Sequence, residues 1–218
     1  MANKQMFGID ISRWQGSFDI AKAVKTAGIE FCIIKCGGGD GKKDACYEDS
    51  QFRNNYNKCE KIGLHKGCYF FGHAMTLEKA KIEVAAWLDI IRGCRFDFPI
   101  VYDVEGSMLN LDRRTLTEII KYVCSTLEKN GYWAAVYSSS SAFNNRVVDA
   151  ELLPYTHYVA YWGRSKPKLK SGAETQIWQF GGETNLIRSN KINGQVVDQD
   201  YCYVDYPYWI KKKHLNGY

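Results

Sequence analysis

The feature that most constrains the fold of this chain is a regular alternation of strand-like and helix-like segments. Short apolar segments are typical of strands at FGIDIS, FCIIKCG, GCYFFGHA, FPIVYDVEG and WAAVYSSS. Each is followed by helical periodicity, and the predicted helices span residues 18–27, 50–62, 77–91, 113–129 and 141–148. Five strand–helix units in succession predict parallel strands joined by right-handed helical crossovers.

The pattern changes after Pro154. HYVAYWG, ETQIWQFGG and QVVDQDY read as strands, and the segments between them are too polar for packed helices. Five βα units followed by three strands give eight strands, which suffice to close a barrel. We therefore predict an α/β fold, a TIM-like barrel of eight strands. An open doubly wound sheet is the competing architecture, but it usually carries a Gly-rich phosphate loop after the first strand, and SRWQGSF is not one.

Length and composition fit one compact domain. The chain has 218 residues and is 45% hydrophobic, so it can bury a large core. We predict a barrel domain over residues 1–210, with 211–218 as a basic tail or the start of a linker. The opening MANKQMFGIDIS lacks the apolar run of a signal peptide, and no segment is long and apolar enough to span a membrane. We expect synthesis in the cytoplasm without a signal peptide, and no membrane insertion.

Charge and metal-ligand patterns exclude several classes of function. The net charge of +5 is mild, and apart from Lys211-Lys212-Lys213 the basic residues are scattered, so nucleic acid is not indicated. The eight cysteines form no CxxC and the four histidines no HxH or HExxH, so we predict no metal and no cofactor. Buried free thiols are the expected state of the cysteines. No heptad indicates an oligomer; the oligomeric state stays open, with a monomer expected.

Carboxylates cluster where the predicted strands end. Strand 1 ends with Asp10, the fourth strand with Asp103 and Glu105, and the last strand carries Asp198 and Asp200. In a barrel of parallel strands, active-site residues lie at the C-terminal strand ends. A single such residue could equally cap a helix. Asp103 and Glu105, however, lie two residues apart on one face, roughly 6.5–7 Å between Cα atoms, where two like charges are costly unless a pocket uses them.

This pair matches the chemistry of glycosidic bond cleavage. Crowding in a partly apolar cleft should raise the pKa of one carboxyl group, giving a proton donor beside an ionised partner. Glycoside hydrolysis needs an acid for the leaving oxygen and an anion near the developing positive charge. Aromatic residues at the same level suit sugar rings, although each alone is typical of a core. They are Tyr69, Phe71, Tyr102, Tyr137, Tyr161, Trp162 and Trp178. Lys35 ends an apolar strand and is predicted to neutralise a nearby carboxylate.

The order and spacing of eight short motifs resemble glycoside hydrolase family 25, the Chalaropsis-type lysozymes or N-acetylmuramidases, many of which are bacteriophage endolysins. The resemblance covers nearly the whole chain. The motifs are GIDISRWQG, FCIIKCGGG, GCYFFGHA, IVYDVEG, VYSS, AYWG, IWQFGG and VDQD. Two segments depart from the family pattern: GGGDG after Lys35, and INGQVVDQDY, where Asp200 is an alternative to Asp198 as a cleft residue.

The resemblance implies a barrel that hydrolyses the β-1,4 bond between N-acetylmuramic acid and N-acetylglucosamine in bacterial peptidoglycan, causing cell lysis after release from the host cytoplasm. It implies that Glu105 is the general acid, and that Asp103 stabilises the transition state or orients the substrate acetamido group. Asp10 and Asp198 match two further acidic residues of the cleft. Predicted substrate contacts are Tyr69, Tyr137, Trp162, Trp178, Gln179 and, from the residue pattern, Lys35.

Two other functions stay open at this level. A family 18-like chitinase or glucosaminidase is also a barrel with carboxylates spaced by one residue, but its motif needs a further Asp where Val101 stands. A non-catalytic wall-binding module would keep the aromatic residues without needing four carboxylates. We expect retention of configuration, with either Asp103 or the substrate's own acetamido oxygen as the nucleophile.

Overall fold

A computed structural model describes residues 5–40, 45–182 and 184–218 of the chain. The strands are β1 (Met6–Ile11), β2 (Phe31–Asp40), β3 (Ala45–Glu48), β4 (His65–Phe71), β5 (Ile100–Asp103), β6 (Ala134–Ser139), β7 (Thr156–Ala160), β8 (Ile177–Gly181), β9 (Lys191–Ile192), β10 (Gln195–Val196) and β11 (Asp198–Cys202). The helices are α1 (Ile20–Ala27), α2 (Phe52–Ile62), α3 (Leu77–Ile90), α4 (Arg113–Lys129), α5 (Ser140–Asn145) and α6 (Tyr206–Lys212).

Eight of these strands close a barrel, which confirms the predicted fold class. Going round the barrel, the order is β1, β2, β4, β5, β6, β7, β8 and β11, and β11 pairs again with β1. The first seven strands are parallel. The last strand, β11, is antiparallel to both of its neighbours, so the barrel closes through two antiparallel seams.

Three local features of the fold were not predicted from the sequence. The end of β2 continues into a hairpin, in which Gly37 to Asp40 pair with β3. A small hairpin of β9 and β10 precedes β11. After β11 the chain forms α6, whose Tyr206 and Ile210 pack in the apolar cluster inside the barrel. The helix predicted over 141–148 is shorter, because α5 ends at Asn145.

Side-chain alternation along the strands creates two hydrophobic layers. Outward-facing residues such as Tyr102 pack against the helices, together with Trp87 of α3 and Ile120 of α4. Inward-facing residues form a smaller cluster at the end of the barrel where the parallel strands begin. There the Phe31 and Phe98 rings stack with centroids 4.4 Å apart. We call this end, at the N-termini of the parallel strands, the lower end.

Helix caps fix where the chain turns between strands and helices. Asp19, Thr76 and Asp112 each accept a hydrogen bond from a backbone N–H in the first turn of α1, α3 and α4. Such caps satisfy donors that have no partner within the helix. They end each βα loop at a defined residue, so the loops at the upper end, opposite the lower end, hold the site residues in place.

The C-terminal segment packs against the lower end of the barrel. Asn216 is buried, donates a hydrogen bond to the carbonyl of Phe98 (2.8 Å) and accepts one from the backbone N–H of Trp133 (2.7 Å). Lys211 forms an ion pair with Asp97 at 3.0 Å. The domain boundary at 210 stays a prediction. In the described ranges, no helix combines the length and apolar character needed to cross a membrane.

Candidate active site

The inward-facing side chains change from apolar to polar at the upper end of the barrel. A pocket of about 90 Å³ opens there. Its lining residues are Asp10, Tyr69, Val101, Asp103, Glu105, Tyr137, Tyr158, Gln179 and Asp198. The fold thus brings all four predicted catalytic carboxylates together, with three of the predicted substrate-binding residues: Tyr69, Tyr137 and Gln179.

Asp103 and Glu105 line this pocket from the end of β5 and the loop after it. Asp103 is the last residue of β5 and only 5% exposed, while Glu105 is half-buried with an extended backbone. Between them Val104 faces the outer core; its N–H donates to Tyr137 O (2.9 Å) and its carbonyl accepts from Ser138 Oγ (2.6 Å). The residue spacing therefore places both carboxylates on one face, as the sequence predicts.

Burial and mutual repulsion perturb both carboxyl groups. Burial raises the pKa of Asp103 well above its ordinary value, and the nearby Glu105 carboxylate adds to the rise. Burial also raises the pKa of Glu105. For both groups the ammonium of Lys35 opposes the rise in pKa. Like charges in one pocket titrate as a pair, so a proton is held between them more strongly than by either carboxyl alone in water.

Lys35 is held beneath this pair by aromatic rings. Its Nζ lies 4.6 Å from the ring centroid of Phe71, 5.6 Å from that of Tyr69 and 5.9 Å from that of Tyr47. Cation–π attraction at such distances stabilises an ammonium group at the edge of an apolar strand. From this position the Lys35 charge lowers the pKa values of Asp103 and Glu105, and its role as a site residue stays a prediction.

Below the pair, a chain of hydrogen bonds joins Asp10 to Asp200. The Tyr158 hydroxyl lies 3.0 Å from Asp10 Oδ2 and 2.6 Å from Asp200 Oδ1. A phenol has one hydrogen and can donate it to only one carboxylate, so the other carboxyl group must carry its own proton. Gln179 Nε2 also donates to Asp10 Oδ2 (2.8 Å), which favours an ionised Asp10. The proton therefore resides on Asp200, which donates to Tyr158.

The electrostatics agree with this assignment. Burial raises the pKa of Asp10 to about 6, although the hydrogen bonds from Gln179 and Tyr158 oppose the rise. Burial raises the pKa of Asp200 well above its ordinary value, and repulsion by Asp10 adds to it. Asp200 is 0% exposed, and its Oδ2 has no hydrogen-bond partner among the described residues. At neutral pH this arrangement gives a neutral Asp200 beneath an ionised Asp10.

Asp198 and Asp200 have different positions although they lie on one strand. Asp198 lines the pocket, at the point where β11 begins. A methyl group at Gly182 would collide with Asp198 Oδ1, so a glycine there leaves the space that this carboxylate needs. Asp200 lies deeper, beside β8, and does not line the pocket. Of the two alternatives, Asp198 is the one placed to meet a ligand.

The two predicted tryptophans lie elsewhere. Trp178 is 4% exposed and packs in the outer core against Phe180 and Tyr201, with its Nε1 donating to the Tyr161 carbonyl (2.7 Å). It faces away from the pocket because its neighbour Gln179 faces in. Trp162 follows the end of β7 and is 44% exposed, outside the residues that line the pocket. The fold therefore does not bring these two rings to the carboxylates.

A wider groove adjoins the pocket and contains residues that sequence analysis missed. It encloses about 820 Å³ and shares Tyr69, Asp103 and Glu105 with the pocket. Its other lining residues are Arg13, Trp14, Lys35, Gly39, Asp40, Tyr47, Phe71, His73 and Ser107. Arg13 and Trp14 stand in SRWQGSF, directly after the first strand. Because they follow the C-terminal end of a strand, as Asp10 does, both residues could have been predicted from the sequence to lie near the site.

No cluster of three His, Cys, Asp or Glu side chains suited to a metal ion occurs in residues 5–40, 45–182 and 184–218. The described side chains of the site supply acid–base and electrostatic chemistry. The site consists of carboxyl groups with raised pKa values, an ammonium group and aromatic walls, open to a groove that can take an elongated ligand.

The sequence profile described as "Glycosyl hydrolases family 25" matches residues 9–187. The chain belongs to this family. The membership confirms the predicted resemblance and makes the protein a glycoside hydrolase. The match does not support the two alternatives, a family 18-like enzyme and a non-catalytic binding module. The region matched includes Asp10, Asp103, Glu105 and Gln179, but ends before Asp198.

Members of this family and structures with the same barrel resemble the chain at moderate identity. "Lysozyme M1" of Streptomyces globisporus is 28% identical over 207 residues, covering 86% of this chain and 67% of that protein. The CTP1L endolysin has a TM-score of 0.79 at 22% identity, over 95% of this chain and 70% of that one. The modular autolysin LytC from Streptococcus pneumoniae, solved with a synthetic peptidoglycan ligand, has a TM-score of 0.78 at 22% identity. This chain matches it over 91% of its own length and spans about half of LytC, 47%.

Proposed function

We propose that this protein is a peptidoglycan hydrolase, an N-acetylmuramidase that cleaves the β-1,4 bond between N-acetylmuramic acid and N-acetylglucosamine. The observation that carries the proposal is the pair Asp103 and Glu105, two carboxyl groups with raised pKa values where the small pocket meets the wider groove. A glycan chain has the shape that fills such a groove, with one sugar ring held in the pocket. Membership in glycosyl hydrolase family 25 supports the reaction class.

Glu105 is proposed as the general acid. It is half-buried and lines both the pocket and the groove, so its carboxyl group can reach an oxygen that joins sugars on either side. Its raised pKa favours the protonated form that such a step requires. After protonating the leaving oxygen, the ionised Glu105 can remove a proton from water in the second step, which gives retention of configuration.

Asp103 is proposed to hold the reacting sugar. Its Oδ1 is buried and has no hydrogen-bond partner in the described part of the chain, so a polar group of the substrate would satisfy it. The N–H of the 2-acetamido group is such a partner. Held there, the acetamido oxygen could attack the anomeric carbon, and direct attack by Asp103 is the alternative nucleophile.

We propose that Asp103 and Glu105 share one proton and that it moves as substrate binds. Asp103 is the more deeply buried of the two, and burial raises the pKa of both carboxyl groups. Protonation of the leaving oxygen by Glu105 therefore requires that Asp103 be ionised when the sugar is in place. An acetamido N–H donating to Asp103 stabilises that ionised form. We propose that substrate binding shifts the proton towards Glu105.

The other pocket residues are proposed to bind sugar hydroxyl and acetamido groups. Tyr137 donates a hydrogen bond to Gln179 Oε1 (2.9 Å), and Gln179 donates to Asp10, so these three side chains are held in fixed orientations. The other proposed contacts to the sugar are made by Asp198, Tyr69 and Lys35. Trp162 stays a proposed contact only at the rim, and Trp178 is proposed to act through packing.

In its biological setting we propose an endolysin that lyses bacteria by acting on the cell wall after release from the host cytoplasm. A bacteriophage source is supported by the likeness to the CTP1L endolysin. The net charge of +5 favours attraction to an anionic wall. We propose that residues 1–210 act as a monomeric catalytic unit with peptidoglycan as partner.

The test is product analysis on purified peptidoglycan. The protein is incubated with wall material, and the new reducing ends are identified by borohydride reduction and mass spectrometry. N-acetylmuramic acid at the new ends supports the proposal, whereas N-acetylglucosamine there would make the protein a glucosaminidase. Glu118→Gln, an exposed substitution on α4, controls for charge. Absence of new reducing ends with folded protein on several bacterial walls would overturn the proposal.

A further inference from the structure

The rim of the groove carries a cation that the proposed hydrolysis does not use. Arg13 lies in the turn after β1, and its guanidinium carbon is 5.3 Å from the centroid of the Trp14 ring and 5.8 Å from that of Tyr47. Trp14 is 79% exposed, the most exposed large hydrophobic side chain described. We call Arg13, Trp14 and Tyr47 the rim cluster.

The backbone holds the rim cluster in place before any ligand binds. The N–H of Arg13 donates to the buried Asp49 (3.2 Å), and Ser12 caps the turn by accepting from the N–H of Trp14 (3.2 Å). Tyr47 reaches the site from β3, where it pairs with Gly38 of β2. Because these backbone hydrogen bonds hold the turn and connect it to the end of β3, little backbone ordering cost remains to be met on binding.

The other charges facing the groove leave Arg13 available. Lys35 acts on Asp103 and Glu105, as described above. His73 is more weakly basic than usual, since burial and Lys35 lower its pKa. The Asp40 carboxylate acts on His73 in the opposite direction and raises its pKa. Within the described ranges no carboxylate forms an ion pair with the Arg13 guanidinium, whose charged group contacts aromatic rings instead.

We propose that the rim cluster is a subsite for a carboxylate carried on the glycan. This inference rests on the proposed function and specifies its substrate class further: an acidic glycan rather than a neutral one. A guanidinium presents parallel N–H donors that match a carboxylate, and stacking on a ring keeps those donors pointing outward. The Trp14 ring offers an apolar face to the sugar or to an alkyl group beside the carboxylate.

Two carboxylates on this substrate have the required chemistry. N-acetylmuramic acid carries a lactyl ether, whose carboxyl group is free in strands without peptide. In peptide-bearing strands that group is an amide, and the carboxylates belong to the peptide. Arg13, Trp14 and Tyr47 line the same groove as Glu105, so the proposal places a substituent of the bound glycan at the rim cluster and the glycosidic bond at the carboxyl pair.

The experiment compares Arg13→Gln with the wild type on three glycan strands: peptide-bearing, peptide-free with lactyl carboxylates, and peptide-free with those carboxylates converted to neutral amides. For the wild type, amidation should raise KM about five-fold, the upper range for losing one exposed ion pair. For Arg13→Gln, KM should be the same on both peptide-free strands. Arg13→Lys should keep part of the preference. If Arg13→Gln raises KM only on the peptide-bearing strands, the site binds peptide carboxylates. If it raises KM on the peptide-free strands with free lactyl carboxylates, the site binds the lactyl group.

Arg92→Gln is the matched control, because it removes the same charge from an exposed position outside the groove. It should show the wild-type preference, and melting curves should show all variants folded. Wild-type KM values of Arg13→Gln on all three strands would overturn the proposal. Binding of the same strands to Glu105→Gln, measured by calorimetry, tests the subsite separately: if the wild type hydrolyses nothing, the proposed function fails while the binding preference is still measured.

Discussion

The lower and upper halves of the barrel interior are built on the same strands but have opposite chemistry. In the lower half the inward-facing residues include Ile33, Ala135, Ile177, Cys202 and, where this half meets the pocket, Val101. Two positions away on the same strands are Lys35, Asp103, Tyr137, Gln179 and Asp200. A distance of two residues along each strand therefore separates a close-packed apolar cluster from a polar site. In that site burial raises the pKa values of the carboxyl groups.

The difference shows how the fold tolerates its active site. Buried carboxyl groups with unsatisfied oxygens lower stability, and Asp103 and Asp200 each have one such atom among the described residues. The lower half stabilises the same strands by packing, for example through the stacked Phe31 and Phe98 rings. Substitutions in the lower half should therefore change stability, and substitutions in the upper half should change activity or pH dependence.

The largest effect is expected at Glu105. Replacing Glu105 by Gln removes the proposed proton donor, so kcat/KM on peptidoglycan should fall by about 10²–10⁴-fold with the melting temperature not lowered. The measurement is reducing-end release at matched protein concentration, with Glu118→Gln as control. Retention of more than a tenth of wild-type activity would contradict the role of Glu105.

The next largest effect is expected in the lower half. Ile33→Ala removes a fully buried side chain beneath Lys35 and should reduce the free energy of unfolding by about 2–5 kcal/mol. Because no titratable group changes, the loss should be the same at pH 5 and pH 8. Ile62→Ala, at an exposed position, is the matched control. The free energy of unfolding is measured by denaturant-induced unfolding at both pH values. If the pH–activity profile of Ile33→Ala differed in shape from that of the wild type, the proposed division between the two halves would be wrong.

A stabilising effect is expected at the boundary between the halves. Asp200 has a raised folded-state pKa, so the stability present below its unfolded pKa is lost as pH rises towards its folded value. Asn at position 200 donates to Tyr158 without needing a proton. Asp200→Asn should therefore be about 2 kcal/mol more stable than the wild type at pH 8, with a smaller gain at pH 4. If Asp200→Asn and the wild type had the same melting temperature at pH 8 and again at pH 4, the assignment of a neutral Asp200 would be contradicted.

The smallest effect is expected at Glu83, on α3 outside the barrel. This buried residue accepts hydrogen bonds from the His73 N–H (2.8 Å) and the Tyr102 hydroxyl (2.9 Å), and burial raises its pKa to about 7. Stability should be lost as pH rises from about 4.5 to about 7. Glu83→Gln keeps one acceptor and adds a donor, so its melting temperature should vary less over that range, by a few degrees. If the melting temperature of Glu83→Gln depended on pH as strongly as that of the wild type, the raised pKa of Glu83 would be contradicted.

Much of the site could be predicted because two simple rules fix it. Strand alternation places Asp103 and Glu105 on one face, and parallel strands in a barrel bring their C-terminal ends together. The same alternation could have shown that Trp178 and Gln179 cannot both face the pocket, since they are adjacent on one strand. Family resemblance named both residues, and only Gln179 lines the pocket.

The remaining features depend on long-range pairing that local pattern does not encode. The direction of β11 is one example, because QVVDQDY alternates in the same way whether the strand runs parallel or antiparallel. The hairpin of β2 and β3 is another: Gly37 to Gly39 give no hydrophobic signal, yet they pair with β3 and bring Tyr47 to the groove. The rim cluster could not be assembled from sequence for that reason.

The antiparallel direction of β11 also decides how the enzyme could be tethered. Met6 pairs with Cys202, and Tyr218 donates a hydrogen bond to Asp97 just before β5, so both described chain ends lie at the lower end. A bead, a surface or a fused protein attached through either end would leave the groove facing outward. Immobilised in that orientation, the barrel would present its groove to a wall particle as it does when free in solution.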